Sequence, residues 1–155
     1  DLHRRRHSFP TRRSSDLFVA DEITRYSKRL RGHVDFQVVE MKEAKHDDSN
    51  RNLAEEAKEF EKRFPKNEYK WIILAEEGKL LNTMQFSAWL APRLSSNCVF
   101  LIGSAYGIDA SVKKRADLLL SLSPFTFTHD HARVVLAEQV YRCLMVIAGH
   151  PYHHV

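Results

Sequence analysis

From His131 to Ala148 the chain reads as one helix that is apolar almost all the way round. Val134, Ala137, Tyr141, Leu144, Met145 and Ala148 share one stripe, while Val135, Leu136, Val140 and Ile147 add a second apolar face. Such a helix is stable only when both sides are covered. At 155 residues the chain fits one domain with a sizeable core, so one cover can be a sheet and the other a partner subunit. The pattern predicts a homodimer that uses this helix, with burial wholly inside one chain as the alternative.

Upstream, helical and strand patterns alternate. Val19, Ile23, Tyr26 and Leu30 make a helical stripe that Gly32 is placed to end. Val34 to Val39 alternates and is rich in β-branched residues, which predicts a strand. Asp47, Asp48 or Ser49 can cap a helix with the stripe Leu53, Ala57, Phe60, Phe64, stopped by Pro65. Tyr69 to Leu74 reads as a buried parallel strand. A short helix from Asn82 or Thr83 to Trp89 follows, ended by Pro92, and Cys98 to Ile102 is the next strand. Asp109 or Ser111 can cap a helix running to Leu118, and the apolar run Leu118 to Leu122 ends at Ser123-Pro124. Alternation of this kind predicts an α/β domain with a mostly parallel sheet and helices on both faces. In such sheets ligands bind at the carboxyl ends of strands, so the loops after Leu74, Ile102 and Leu122 are the default site.

Charge and composition narrow the function classes. The net charge of +4 and pI near 9.1 suggest nucleic acid, yet residues 1–17 hold five arginines against two aspartates, a balance of +3 that leaves +1 for the other 138 residues. The body is close to neutral. Residues 1–17 also lack any apolar period and the apolar core of a secretory signal, and they resemble translated adaptor sequence; a basic arm gripping RNA phosphates is the functional alternative. They are set aside as a non-native or disordered head, leaving 18–155 as a single domain. With 43% hydrophobic residues but no apolar run near the ~20 residues of a membrane span, the chain reads as soluble and cytoplasmic. Cys98 and Cys143 give neither a disulfide framework nor a zinc spacing, and predict two buried thiols.

Local motifs say little about chemistry. Gly103 and Gly107 after a strand could admit a nucleotide close to the backbone, but GxGxxG and GxxxxGK[ST] are absent and a plain strand-to-helix turn is equally consistent. His129, His131, His150, His153 and His154 come without an acidic or cysteine partner set, so no metal is expected. Neither GxSxG nor an active-site cysteine signature occurs. Glu138 lies four residues before Arg142, which predicts an intrahelical pair and leaves Arg133 the freer cation to meet a phosphate. Tyr152 and His153, after Pro151, could stack on or hydrogen-bond a base, or simply pack as a tail.

Three runs together carry a family likeness. Leu120-Ser121-Leu122-Ser123-Pro124-Phe125-Thr126-Phe127-Thr128-His129, then Arg133 to Arg142 with its Ala137-Glu138-Gln139 centre, then His150-Pro151-Tyr152-His153 resemble the ribosomal RNA large subunit methyltransferase H family, a single-domain branch of the SPOUT methyltransferases. The likeness runs more loosely from about Leu17, through Leu74 to Gly78-Lys79 and Leu101-Ile102-Gly103. It implies an S-adenosylmethionine-dependent enzyme that methylates N3 of a pseudouridine in 23S rRNA, acting as a homodimer on the assembled ribosome. It also implies a C-terminal trefoil knot (the α/β-knot), with the final helix threaded beneath the loop around Gly103. By matching position the cofactor would lie on Leu74, Gly103, Leu122, Ser123, Pro124, Phe125, Thr126 and Phe127. His129, Tyr152 and His153 would accept or relay the N3 proton, and Arg133 or Arg142 would stabilise negative charge on the base or grip phosphate. This chain departs from the family in three places: the usual apolar first strand is missing, a paired glycine is Gly103-Ser104, and an acidic position is Ala75, with Glu76 one step later. A non-catalytic RNA- or ribosome-binding module and a generic nucleotide-binding α/β protein are the competing classes.

Overall fold

The computed structural model describes residues 10–104 and 106–149, with side chains from residue 17 onward. Helix α1 spans Pro10–Arg31 and α2 spans Ser49–Arg63; strand β1 covers Tyr69–Leu80, followed by α3 at Thr83–Leu90 and a 3-10 turn at Ala91–Arg93. Strand β2 is Asn97–Leu101, α4 is Ala110–Lys114, β3 is Leu118–Ser121 and α5 is His129–Ile147. The sheet has the order β2-β1-β3, and both pairings are parallel. Parallel neighbours need crossovers, here supplied by α3 and by α4.

Helix ends follow the capping residues. The Asp48 carboxylate accepts from Asn50 N at the start of α2. Asn82 and Gln85 form a reciprocal capping box for α3. Asp109 caps α4 and Thr128 caps α5. Helix α1 begins inside the segment that composition sets aside, so the boundary at residue 17 falls within an element.

The sheet is covered on both faces, and the period of β1 shows how. Trp71 and Ile73 point to one side, where Ala57 and Phe60 of α2 and Val112 of α4 meet them. Ile72 points to the other, against Leu30 of α1, Phe86 and Leu90 of α3, and Leu136, Val140 and Leu144 of α5. Burying Ile72 and Ile73 completely contributes about 1.5–3 kcal/mol each. Helix α5 is flanked by α1 and α3 of the same chain, so part of the cover predicted for its second apolar face comes from within. Among the described residues no helix is long and apolar enough to cross a membrane.

Two elements differ from their sequence patterns. Residues 35–46 form no strand, although Val34 to Val39 alternates as one. A strand needs a neighbour to satisfy its backbone, and this stretch instead takes isolated contacts: Arg31 Nε donates to Phe36 O at 3.2 Å, Ala44 N to Glu56 Oε2 at 3.2 Å, and His46 N to Asn52 Oδ1 at 2.7 Å. Helix α4 stops at Lys114 rather than Leu118 because Asp117 is tied to β1, its N–H donating to Trp71 O at 2.9 Å and its carboxylate accepting from Trp71 N at 2.7 Å. Burial pushes this carboxyl up, but the Lys66 ammonium at 2.6 Å and the Trp71 N–H outweigh that and hold it below the usual carboxylate range. The apolar residues after it are thereby delivered to the sheet as β3.

Candidate functional site

Three loops leave the carboxyl ends of the three strands. The first interrupts β1: Leu74 pairs with Leu120, and the register then shifts so that Lys79 pairs with the same residue, which throws 75–78 out as a bulge. The second follows β2. There the Gly107 N–H donates to Ser104 O at 2.9 Å and the backbone folds back so closely that a Cβ on Gly103 would lie 2.6 Å from Gly107 O. Gly107 itself has a φ of 91°, a conformation that favours glycine. Ser104 Oγ donates to Glu56 Oε1 of α2 at 3.2 Å. The third loop, after β3, is held by its own serines: Ser121 Oγ donates to Ser123 O at 3.0 Å and Phe125 N donates to Ser123 Oγ at 3.0 Å. It leaves Phe125 79% and Phe127 39% exposed.

Leu74, Gly103 and Leu122 therefore stand at neighbouring strand ends, the outer two about 10 Å apart by strand spacing. Gly103 borders a cleft of about 1110 Å³ with His129, Asp130 and Arg133 of α5. Leu122 borders a smaller one, of about 320 Å³, with Leu120 and Ser121 of β3 and Thr83 and Gln139, the last two joined by a 2.8 Å hydrogen bond. Ser123 to Phe127 continue the chain beyond Leu122.

The charged residues divide along α5. His129 is exposed at its first turn, with Nε2 3.7 Å from Asp130 Oδ1. Arg133 lies one turn on, 3.5 Å from Asp130 and 3.7 Å from Glu40 of the 35–46 segment. Arg142 donates to Glu138 at 2.8 Å, the pair that the four-residue spacing predicts, and sits about 20 Å along the helix from His129. His129 and Arg133 are thus brought to one place and Arg142 to another. Tyr152 and His153 lie outside the described residues. Glu40, Glu56 and Gln139 have no local signature, since each reaches the site across a long sequence separation; only the Asp130–Arg133 spacing could have been read in advance.

Other chemistries find little support. Burial pushes the thiols of both Cys98 and Cys143 up, so neither is an activated nucleophile. Among the described residues no group of three or more His, Cys, Asp or Glu is placed to hold a metal ion.

Comparison with known proteins adds independent findings. A family model described as "Predicted SPOUT methyltransferase" matches residues 11–153. A protein of Gloeobacter violaceus named ribosomal RNA large subunit methyltransferase H is 34% identical over 129 residues, covering 83% of this chain and 85% of the relative. The protein of the same name from Geobacter metallireducens is 36% identical over 135 residues, covering 85% and 87%. That from Prochlorococcus marinus reaches 49% identity over a shorter stretch of 82 residues, 53% of this chain and 57% of the relative.

Proposed function

This chain belongs to the SPOUT methyltransferase family, and from that premise we propose that it methylates N3 of a pseudouridine in large-subunit rRNA, using S-adenosylmethionine, as a cytoplasmic homodimer acting on the assembled ribosome. The observation that carries the reading is the convergence of Leu74, Gly103 and Leu122 at the carboxyl ends of three adjacent parallel strands. The residues present fit such a cofactor. Beside Gly107 the position of a Cβ has nothing within 4 Å, so the backbone there is open to a ligand. The exposed rings of Phe125 and Phe127 can lie over a flat purine. In the proposed arrangement α5 threads beneath the Gly103 loop as a trefoil knot.

S-adenosylmethionine supplies an electrophilic methyl on a sulfonium. The chain's own residues have two tasks. Leu74, Gly103 and Ser123 to Phe127 hold the donor so that the methyl faces the base in line. His129 accepts or relays the proton from N3, a role that Tyr152 or His153 can share, and Arg133 stabilises the anionic base. Arg133 is held between Asp130 and Glu40, which fixes its guanidinium near the mouth of the larger cleft.

The test is calorimetric titration of S-adenosylmethionine together with transfer of a labelled methyl group to ribosomes lacking the modification. Stoichiometric binding with transfer to N3 supports the proposal. Binding without transfer would make the protein a non-catalytic ribosome-binding module, and preference for an adenine nucleotide would make it a generic nucleotide-binding protein.

A further inference from the structure

Tyr26 of α1 and Tyr141 of α5 meet where the two helices pack, with ring centroids 6.3 Å apart. The guanidinium of Arg29 lies over both rings, its Cζ 5.7 Å from each centroid. Arg25, Arg93 and Arg115 also lie over rings, but each has a further partner: Glu22, the Trp89 carbonyl and Glu61 respectively. Arg29 is exposed, and among the described residues its side chain forms no ion pair or hydrogen bond.

Cations in the last turn of α1, Lys28, Arg29 and Arg31, complement the helix dipole. That accounts for the charge but not for a guanidinium fixed on the rings of two helices. Stacking holds the planar fork in one place and leaves its N–H donors unpaired. A fixed fork with no carboxylate of its own suits a phosphate, which it can meet with two parallel hydrogen bonds. S-adenosylmethionine has no phosphate, so the group that Arg29 suits belongs to the methyl acceptor.

The place adjoins the candidate site. From His33, whose ring lies 6.2 Å from that of Tyr141, the chain runs to Glu40, which lies 3.7 Å from Arg133. Along α5, Tyr141 is roughly 12 Å beyond Arg133, a span that a few nucleotides of backbone cover.

We propose that Arg29, held on Tyr26 and Tyr141, grips a backbone phosphate of the RNA whose base enters the site, and so positions the substrate without taking part in transfer. The identity of that RNA rests on the methyltransferase reading. A phosphate contact fixes register and orientation, and a single one is compatible with a body of almost neutral charge.

The experiment compares the full chain with three variants. Arg29→Met keeps an apolar stem on the rings, Arg29→Lys keeps the charge but not the fork, and Arg115→Met removes a paired arginine beside Trp71, which packs on the opposite face of the sheet. Methyl transfer, calorimetric cofactor affinity and equilibrium binding to ribosomes lacking the modification are measured, the last over a range of salt concentrations. Arg29→Met is expected to raise the ribosome KM and Kd about tenfold and to lower the logarithmic salt slope by roughly 0.7–0.9, the share of one phosphate. It should leave kcat and S-adenosylmethionine affinity unchanged. Arg29→Lys should keep the slope and lose only part of the affinity, and Arg115→Met should behave as the parent chain. An unchanged slope in Arg29→Met, a loss confined to kcat, or weakened cofactor binding would overturn the proposal. Weaker self-association of Arg29→Met by sedimentation would also overturn it, assigning the arginine to a subunit interface, as would a parent chain that does not bind ribosomes. A parent chain that binds ribosomes but transfers no methyl group would sink the methyltransferase reading alone, and the salt slope would still decide the role of Arg29.

Discussion

At position 103 an added methyl would sit 2.6 Å from both Gly107 O and Ile108 Cγ1, so Gly103→Ala has to push Gly107 and Ile108 away. The strands behind it need not move. Affinity for S-adenosylmethionine should fall about tenfold or more, ~1.4 kcal/mol by calorimetry, while the unfolding midpoint drops only slightly. Arg133 and Arg142 separate the two meanings of a cation on an apolar helix. Arg133→Ala should lower methyl transfer about a hundredfold with cofactor affinity retained, whereas Arg142→Ala, which removes the ion pair with Glu138, should lower it much less. Asp117 is structural: Asp117→Ala strands the N–H of the fully buried Trp71 and should cost about 1–3 kcal/mol in denaturant unfolding. Its carboxyl is held below the ordinary range when folded, so its contribution is complete above the unfolded value near ~3.9 and fades as pH falls through the lower folded one. Asp117→Asn should lack that acid-dependent loss. The Arg142–Glu138 pair is legible in sequence because four residues is one helical turn, while the Asp117–Trp71 tie spans 46 residues and has no local trace.

Helices announce their ends and strands depend on their neighbours, which accounts for what could be read at the scale of elements. Asp48, Asn82, Asp109 and Thr128 each accept a backbone N–H from within the next few residues, so a local pattern contains the whole interaction. Val34 to Val39 has the same β-branched alternation as a strand, yet what it lacks lies elsewhere in space. Helix α5 lies between these cases. Its all-round apolar surface correctly signals cover on more than one side, but the period does not say that α1 would supply part of it. Ile147 at its end stays 36% exposed, and the proposed homodimer gives that residue a place to go. Ile147→Lys should weaken self-association about tenfold by sedimentation and leave far-ultraviolet dichroism unchanged; an unaltered monomer–dimer equilibrium would remove this end of α5 from the interface.

For the whole molecule the deciding quantity is where the charge lies. Of a net +4, the first 17 residues hold +3, and the remainder is almost neutral although it contains the three strand ends and the clefts. Affinity for free RNA comes largely from phosphate neutralisation and falls steeply with salt, by a slope of roughly 0.7–0.9 per phosphate contact. A nearly neutral body with a concave site is better suited to a substrate presented as a shaped surface than to naked RNA. Replacing Arg4, Arg5, Arg6, Arg12 and Arg13 together by serine tests this directly. If the body recognises an assembled ribosome, methyl transfer should stay within about twofold and the logarithmic salt dependence of binding should hardly change. If those arginines are a phosphate-gripping arm, the slope should shrink by up to roughly 0.7–0.9 for each one lost, and binding at low salt should weaken by orders of magnitude. The first outcome is expected, because in the structure the groups that converge on the strand ends are glycines, serines, aromatics and one clamped arginine rather than a basic face.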